Sequence, residues 1–365
     1  MEYIIYSFSD QKLALLQNTS SIQWMPRYYE TGKFEIHAAF TEMNRKYLSV
    51  GNRILKADSN EVGYITYVGM EPDENGELEI EIRGEMDILN QRININTATI
   101  SNIEKGIENL INQNKRFLDL QFINSGNIHE ICNPPRQTTW KELRTTIIEL
   151  CQEFGIGFRT VKKGKHLNNV ELYQKGLNNK VKFSDDLGNI VSQSYINNLT
   201  DFKNIAYVCG EGEGPNRKVI KVDLSFGGPK YEMYVDAKNI TREYTDAQGN
   251  QKIYSEKEYE NILKNYGYEK LQERQQTNEF AVELRQSDNL FRLGIDYEMG
   301  DIVKTESKKI GILKFFRISG INYIEEDIEK IEIVLSIDNQ TEQIKGGFNL
   351  WVFYHWTTRL MKPKI

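Results

Sequence analysis

The sequence is poor in cysteine, histidine and proline, and it contains no long apolar run. Its three cysteines, Cys132, Cys151 and Cys209, form no Cys-x-x-Cys pair, which excludes a disulfide framework and a cysteine-based zinc site. The four histidines stand singly, without the spacing of a metal-binding helix. No apolar stretch approaches the roughly 20 residues that cross a bilayer. We therefore expect no metal, no cofactor and no membrane span.

The charge balance argues against stable nucleic-acid binding. The 52 acidic residues outnumber the 46 basic ones and give a formal net charge of −6, whereas general nucleic-acid binders are usually basic.

Hydrophobic residues make up 39% of the 365, so the chain can bury a substantial core. Residues 1–6 lack a basic segment and predict a strand rather than a signal peptide.

Residues 24–36 contain a cluster of aromatic side chains around a single cation, Arg27, followed by a predicted turn. A glycine after the aromatic cluster favours a turn, and the alternation that follows is typical of a half-buried strand. We predict an aromatic-ended β-hairpin with an architectural role, in which the arginine stacks on aromatic rings. The candidate structural motif comprises Trp24, Arg27, Tyr28, Tyr29, Gly32, Phe34 and Glu35.

Residues 1–100 have the period of β-strands. An Asn-Gly turn within Pro72–Gly76 predicts a hairpin between two strands. In the second of these, Leu78, Ile80 and Ile82 alternate with three glutamates, so one face is apolar and the other a ladder of carboxylates, Glu77, Glu79 and Glu81.

Three capping-box signals predict helices. They begin at Ser101, Thr139 and Ser255, and apolar residues follow each at helical spacing. Gly155 predicts the end of the second helix, in which Cys151 belongs to the apolar stripe and is predicted to be a buried thiol. The third helix is predicted over residues 255–276, with an interruption at Gly267.

The glycines of residues 210–214 do not have the spacing of a phosphate-binding loop. They precede a strand rather than a helix, and two glutamates between them would repel a phosphate. An acidic hairpin loop is the better interpretation.

The first and last β segments share a layout. The pattern that begins at Phe34 has a counterpart beginning at Phe280, and residues 51–54 correspond to residues 300–303. Residues 63–68 correspond to residues 316–321, and Ile80 corresponds to Ile333 because both hairpins have the same spacing.

We therefore predict an α+β, mainly β fold with two similar tube-type β-barrel domains, an inserted α+β block and a further helix. The predicted domains are residues 1–100 (first barrel), 101–190 (α+β insertion), 191–340 (second barrel, with helix 255–276) and 341–365 (a C-terminal tail of unknown role).

Three segments together resemble a known family. The first segment is the pattern Trp-x-x-Arg-Tyr-Tyr-x-x-Gly-x-Phe-Glu near the N-terminus. The second is the strand and acidic glycine loop of residues 204–214, and the third is residues 293–303. In this order they resemble segments of the ReqiPepy-type siphovirus tail proteins. These are similar to the N-terminal hub region of tail-associated proteins and to phage baseplate hubs. The resemblance spans residues 1–340.

The resemblance implies a non-enzymatic, homotrimeric tail hub at the tail tip or baseplate of a phage or phage-tail-like particle, made in the bacterial cytoplasm. Implied partners are the distal tail or tail tube protein, the tape-measure protein, and a central spike or fibre. Relatives that cleave peptidoglycan carry appended domains, which this chain is too short to include. A cell-wall hydrolase acting through a carboxylate pair and a carbohydrate-binding adhesin are the alternative functions.

Overall fold

Alternating apolar and polar residues form strands in all parts of the computed structural model, which describes residues 2–72, 76–245, 251–274, 276–284, 291–326, 330–337 and 341. This confirms the mainly β prediction. The first strands are β1 (Tyr3–Tyr6), β2 (Lys12–Leu15), β3 (Thr19–Met25), β4 (Lys33–Ala39), β5 (Arg53–Lys56), β6 (Glu61–Pro72), β7 (Leu78–Glu85), β8 (Ile93–Asn94) and β9 (Ala98–Asn102). The middle strands are β10 (Gln121–Ile123), β11 (Ile131–Thr138), β12 (Lys141–Glu142), β13 (Gly157–Lys163), β14 (His166–Tyr173), β15 (Leu177–Ser184) and β16 (Ile190–Asn198).

The remaining strands and the helices complete the described chain. The strands are β17 (Ile205–Cys209), β18 (Val219–Asp223), β19 (Glu232–Asp236), β20 (Glu243–Thr245), β21 (Gln251–Ile253), β22 (Thr277–Leu284), β23 (Ile302–Ser307), β24 (Ile312–Glu325) and β25 (Lys330–Ser336). The helices are α1 (Glu42–Tyr47), α2 (Ile103–Asn114), α3 (Leu143–Phe154) and α4 (Glu256–Gln272), with short 3-10 turns at Leu89–Gln91 and Gly214–Asn216. The predicted tail, residues 341–365, lies outside the described residues except for Thr341.

The chain divides into two compact units. The first contains Met1–Tyr195 and Glu279–Ile365, and the second contains Ile196–Asn278. In the second unit α4 packs on the sheet β18-β17-β19, and the hairpin predicted around residues 210–214 joins β17 to β18. The predicted second barrel, residues 191–340, contributes residues to both units, and the four-part division remains a prediction.

The first unit contains one extended sheet. Its main path runs β10-β14-β13-β6-β7-β4-β3-β24-β25-β22-β16, with β5, β1 and β2 branching from β6, and β23 and β15 branching from β24. Three apolar cores lie against it: one under β3, β4 and β7, one under β22, β24 and β25, and one between α2, α3, β13 and β14.

The sheet repeats one set of strand pairings. Strands β5, β6, β7 and β4 pair in that order, and β23, β24, β25 and β22 pair in the same order and antiparallel sense. The Gly51 N–H donates to the Ile65 carbonyl and the Gly300 N–H donates to the Ile318 carbonyl, both at 2.9 Å. The register of each set then shifts at that isoleucine. The repeat is therefore present in the strand pairing, while closure of each set into a barrel remains a prediction.

One predicted correspondence is wrong by two residues. Equal spacing in the sequence aligns Ile80 with Ile333, but Ile82 lies opposite Ile36 on β4, and Ile333 lies opposite Val282 on β22. Ile82 is therefore the counterpart of Ile333, and the first hairpin is longer than the second. A strand pattern has a period of two residues, so a shift by two keeps every side chain on its own face and leaves no signal in the sequence.

Two predicted helix starts are also wrong. The side chain of Asn102, rather than Ser101, caps α2 by accepting the Lys105 N–H. The segment predicted to cap α3 instead forms β12, which pairs with β8, and the helix begins at Leu143 without a side-chain cap. Strand pairing has overridden the local capping signal. The helix ends at Gly155 in the left-handed conformation, as predicted.

Helix α4 begins with the predicted capping box of Ser255 and Glu258, but it is not interrupted at Gly267. A Cβ at this glycine would lie 2.6 Å from Val208 Cγ2 and 2.7 Å from Val222 Cγ2. The glycine therefore permits close packing of the helix on the sheet. Among the described residues, no helix combines the length and apolar character needed to cross a membrane.

We expect Gly267→Ala to destabilise the second unit, although alanine is favoured over glycine in a helix by about 1 kcal/mol. The added methyl group would collide with two β-branched side chains that have no room to move. Urea unfolding followed by circular dichroism measures the effect. Asn261→Ala, at an exposed position of the same helix, is the control and should leave the midpoint unchanged or raise it. A higher midpoint for Gly267→Ala would contradict the packing explanation.

Candidate functional site

The predicted hairpin forms between β3 and β4, and its two largest apolar side chains stack across it. Trp24 and Phe34 are cross-strand partners with ring centroids 5.3 Å apart, and both are buried. The centroid of the Tyr3 ring lies 5.6 Å from that of the indole. The indole N–H donates to the carboxylate of Glu61 at 3.0 Å, so the ring is buried without losing its polar partner.

Tyr28, in the loop of the hairpin, connects three parts of the first unit through its polar atoms. Its backbone N–H donates to the Ser319 carbonyl on β24 at 2.8 Å. Its carbonyl accepts the N–H of Phe158 on β13 at 3.1 Å. Its hydroxyl donates to the carbonyl of Gly155, at the end of α3, at 3.1 Å. One buried residue thus ties the first repeat to the second repeat and to the α+β insertion.

The Tyr28 ring is enclosed by aromatic and cationic groups. Tyr29 and Tyr173 contact it edge to face, with centroids at 4.7 Å and 5.2 Å. The guanidinium of Arg317 lies over the ring at 5.1 Å. A Cβ at Gly300, whose φ is +91°, would lie 2.3 Å from the Tyr28 Cε2 atom. Glycine at this position therefore leaves room for the ring.

Arg317 is fully buried, and backbone carbonyls accept hydrogen bonds from its guanidinium. Its Nη1 donates to the carbonyls of Gly300 at 2.6 Å and Lys175 at 3.0 Å. Hydrogen bonds from a charged donor are stronger than neutral ones and offset part of the cost of removing the cation from water. The sequence predicted that the Arg27 guanidinium stacks on aromatic rings. In the structure, the guanidinium of Arg317 lies over the Tyr28 ring.

Arg27 is half-buried and lies where the β3–β24 ladder continues past the end of β3. It forms a β-bridge with Gly320, and its Nη1 donates to the carbonyl of Pro26 at 3.0 Å. A Cβ at Gly320 would lie 3.0 Å from both Cδ and Nη1 of Arg27. The aliphatic part of the arginine therefore packs directly on the backbone of β24. Its predicted role in architecture remains a prediction.

Gly32 ends the hairpin loop beside an ion pair between Asp87, which is buried, and Arg144, which is partly buried. The Met86 N–H donates to the Gly32 carbonyl at 2.9 Å, and Thr31 hydrogen-bonds the carboxylate of Asp87. Arg144 on α3 donates to Asp87 at 2.9 Å and therefore connects the helix to this loop. Burial raises the pKa of Asp87, although Arg144 opposes the shift.

Glu35 belongs to the polar face of β4 and β7, which also carries His37, two further glutamates and Arg83. His37 lies between Glu35, 3.1 Å from its Nε2, and Glu79, 3.1 Å from its Nδ1. Arg83 contacts Glu35 at 3.2 Å and also pairs with Glu81. The predicted carboxylate ladder is therefore partly neutralised by cations from its own and the neighbouring strand.

Burial lowers the pKa of His37, but its hydrogen bonds to Glu35 and Glu79 outweigh that effect and raise the pKa above the ordinary value. The ligand atoms of Glu35, His37 and Glu81 lie close enough together to consider a cation. The guanidinium of Arg83 already supplies positive charge there, so this cluster is explained by ion pairing.

The structure separates five of the seven predicted motif residues into three neighbourhoods: the Trp24–Phe34 core, the Tyr28 junction with Tyr29, and the Glu35 face. Arg27 lies against β24, and Gly32 lies beside Met86. The sequence analysis did not identify Arg317 or the ion pair of Asp87 and Arg144. A buried charge is recognised by the groups that bind it, which for Arg317 are backbone carbonyls. Those groups come from distant segments, and no spacing in the sequence indicates them. Cys132, Cys151 and Cys209 are buried free thiols, as predicted for Cys151.

Comparisons with known proteins agree with one another. A family model described as "Siphovirus ReqiPepy6 Gp37-like protein" matches residues 5–335. This match confirms the resemblance indicated by the sequence motifs. No curated protein matches the chain.

Among solved structures, the chain is similar to the tail protein from Neisseria meningitidis MC58, with 10% identity, 93% of this chain and 98% of that chain covered, and a TM-score of 0.55. It is also similar to the 43 kDa tail protein of prophage MuSo2 from Shewanella oneidensis, with 12% identity, coverage of 93% and 98%, and a TM-score of 0.51. The prophage tail protein gp18 from Listeria monocytogenes EGD-e matches with 15% identity, coverage of 99% and 100%, and a TM-score of 0.49. At these identities, the first two structures show a shared fold.

We expect Tyr28→Phe to destabilise the first unit by about 1–3 kcal/mol, because the buried carbonyl of Gly155 loses its hydroxyl donor. Tyr28→Ala should cost more, about 3–5 kcal/mol, since it also empties the ring site. Denaturant unfolding measures both values. Tyr67→Phe, at a tyrosine that is 42% exposed, is the control and should stay within about 0.5 kcal/mol of the parent protein. Equal stability of Tyr28→Phe and Tyr67→Phe would refute the junction.

Arg317→Ala should reduce the yield of soluble, folded protein more than Arg27→Ala. The first change removes the arginine donor from the carbonyls of Gly300 and Lys175 and also removes the cation over Tyr28, whereas the second removes a half-buried side chain. Both variants should impair folding or assembly, as measured by soluble yield, melting temperature and mass in solution. An Arg27→Ala protein with unchanged stability and assembly would count against the architectural role of Arg27.

The raised pKa of His37 predicts a pH-dependent contribution to stability. The protonated ring is favoured in the folded state, so its contribution is present below about pH 6.5 and is lost as the pH rises through the folded-state pKa. The urea midpoint of the parent protein should therefore exceed that of His37→Gln at low pH, and the difference should shrink as the pH rises. His129→Gln, at an exposed position, controls for the loss of an imidazole. A difference that grows with pH would contradict the assignment.

Proposed function

Because the chain belongs to the Siphovirus ReqiPepy6 Gp37-like family, whose members are phage tail proteins, we propose that it is the structural hub of a tail tip or baseplate. Three copies form a ring that joins the tail tube to a central spike or fibre. The genome or the tape-measure protein passes through its bore. The protein acts by holding its neighbours in place, with no catalytic step.

The observation that carries this proposal is the repeated set of strand pairings, β5-β6-β7-β4 and β23-β24-β25-β22. A subunit with two similar sheets presents six similar sheets when three subunits surround one axis. Such a ring is threefold in its chains and nearly sixfold in its surfaces. It therefore suits a junction between a sixfold tube and a threefold tip.

The polar face of β4 and β7 is the proposed lining of the bore. Glu35, Glu79 and Glu81 outnumber the cation Arg83, and His37 adds positive charge only when it is protonated. A surface of this kind repels phosphate weakly and offers no cluster of cations to hold it. Nucleic acid could therefore pass without binding stably.

The site chemistry supports a structural role for the candidate motif. Trp24, Tyr28 and Phe34 are buried, and their polar atoms are bound to protein groups. Glu35 and Glu81 are paired with Arg83 rather than facing each other across a cleft, whereas a glycosidase needs two carboxylates about 5–10 Å apart across one.

Light scattering with negative-stain imaging of the purified protein tests the proposal. A monomer has a mass of 42.6 kDa, and we expect a particle of three times that mass with a central hole. Cell-wall clearing and glycan-array assays on the same sample test the two alternatives. A monomer that clears cell walls would replace the hub with a hydrolase, and specific glycan binding by a monomer would favour an adhesin.

Crosslinking and mass spectrometry of particles produced by the host test the proposed neighbours. We expect links to the distal tail or tail tube protein, to the tape-measure protein and to a spike or fibre. Purified particles that lack the chain would contradict a role in the tail.

A further inference from the structure

The second half of β6 has an edge that no other described strand covers. Strand β7 pairs with one edge of β6 along its length, whereas β5 covers the other edge only between Glu61 and Tyr64. Residues 66–72 beyond it are mostly exposed, including Tyr67 (42%) and Met70 (47%). An exposed strand edge with apolar side chains is a template for pairing with another strand.

In the second repeat, the same edge is covered. Strand β23 pairs with the first half of β24, and β3 continues along that edge, with Tyr323 opposite Trp24 and Glu325 opposite Ile22. The ladder extends to Arg27, which bridges Gly320. Thus β3, which pairs with β4 of the first repeat, covers β24 of the second repeat within a single chain.

The counterpart of β3 in the second repeat is β16. In the first repeat, β3 pairs with β4 so that Ser21 faces His37 and Trp24 faces Phe34. In the second repeat β16 lies next to β22, the Ser192 hydroxyl donates to Glu283 at 2.9 Å, and the Tyr195 ring contacts Phe280. Ser192 and Tyr195 therefore occupy the places of Ser21 and Trp24.

Strand β16 ends the sheet path, so among the described strands none pairs with its outer edge. Val191 there is 52% exposed. The chain therefore carries both halves of the β3–β24 contact a second time, and no other described strand covers either half of this second set. β16 corresponds to β3, and the second half of β6 corresponds to that of β24.

We infer that β16 of one copy pairs antiparallel with the second half of β6 of a neighbouring copy. The register follows from the covered contact. Because Met70 corresponds to Tyr323, it faces Tyr195, and Glu71 faces Ser194. This inference rests on the proposed homo-oligomeric function, for which it names the surface that joins the subunits.

The geometry of this contact favours a closed ring. It joins two different surfaces, so each copy offers one of each to its two neighbours, and such head-to-tail contacts close into rings when the rotation permits. The segment around Ser194 carries no charge and does not repel Glu71. Pro72 donates no hydrogen bond, which is tolerated at the end of an edge strand.

A disulfide introduced between Glu71 and Ser194 tests the register. In the β3–β24 ladder the hydrogen-bonded pairs include Tyr28 with Ser319, so Gln23 and Ile324 form a non-hydrogen-bonded pair. Glu71 and Ser194 are their counterparts, and pairs of this kind have Cα atoms about 4.5 Å apart, within the range of a disulfide. Glu71→Cys/Ser194→Cys should yield covalent multimers ending at a trimer on non-reducing gels, and reductant should abolish them.

Four controls use the same chain under the same oxidant. Gln23→Cys/Ile324→Cys should form a disulfide within one chain and stay monomeric on the gel, which shows that the geometry suffices. Glu71→Cys/Gln193→Cys places the second thiol on the opposite face and should form little covalent multimer. Glu71→Cys alone should not link to itself, because the contact is head to tail. The parent protein tests whether its buried thiols react.

The outcomes separate this interface from the proposed function. If the parent protein is a trimer and Glu71→Cys/Ser194→Cys forms no covalent multimer while Gln23→Cys/Ile324→Cys closes, the interface is wrong and the hub proposal stands. Efficient linkage through Glu71→Cys/Gln193→Cys would also overturn the inferred register. If the parent protein is monomeric and no pair links copies at high protein concentration, the interface is overturned, and absence of the chain from particles would then overturn the hub itself.

Discussion

The burial of Tyr28 is the constraint on which the first unit depends. Its backbone N–H donates to Ser319 on β24, and its carbonyl accepts a hydrogen bond from Phe158 on β13. Its hydroxyl donates to Gly155 at the end of α3. These contacts come from segments far apart in the chain, so each fixes the position of the others. Polar atoms buried at such a point must be hydrogen-bonded, and backbone groups satisfy those of Tyr28. Glycine at position 300 leaves room for the edge of the ring, and the guanidinium of Arg317 covers its face.

The two repeats share their strand pairing but have diverged on the surfaces that this pairing leaves open. Strand β3 covers the second half of β24, whereas no other described strand covers the same edge of the second half of β6. The contact inferred between copies uses this difference, because it pairs β16 of one copy with the second half of β6 of the next. The exposed apolar side chains of Tyr67, Met70 and Val191 lie on those uncovered edges.

Local signals in the sequence predicted the elements that local physics controls. The hairpin at Trp24–Phe34, the capping box at Ser255 and the glycine stop at Gly155 all formed as predicted, because each depends on residues within a few positions. The start of α3 was wrong because pairing of β12 with β8 outweighed the capping signal. For the candidate site, the sequence identified the aromatic residues but not Arg317 or Arg144, whose partners are distant in the chain.

The sequence by itself determined the mainly β class, the layout of the repeat and the absence of a cysteine framework, because composition and period-two alternation survive without knowledge of contacts. Only the tertiary structure decided the register of the repeated hairpins and the residues that surround Tyr28. Shifting a strand by two residues preserves its buried face, so the pattern alone cannot distinguish Ile80 from Ile82 as the counterpart of Ile333. The register is decided by hydrogen bonds and packing between strands that are far apart in the sequence.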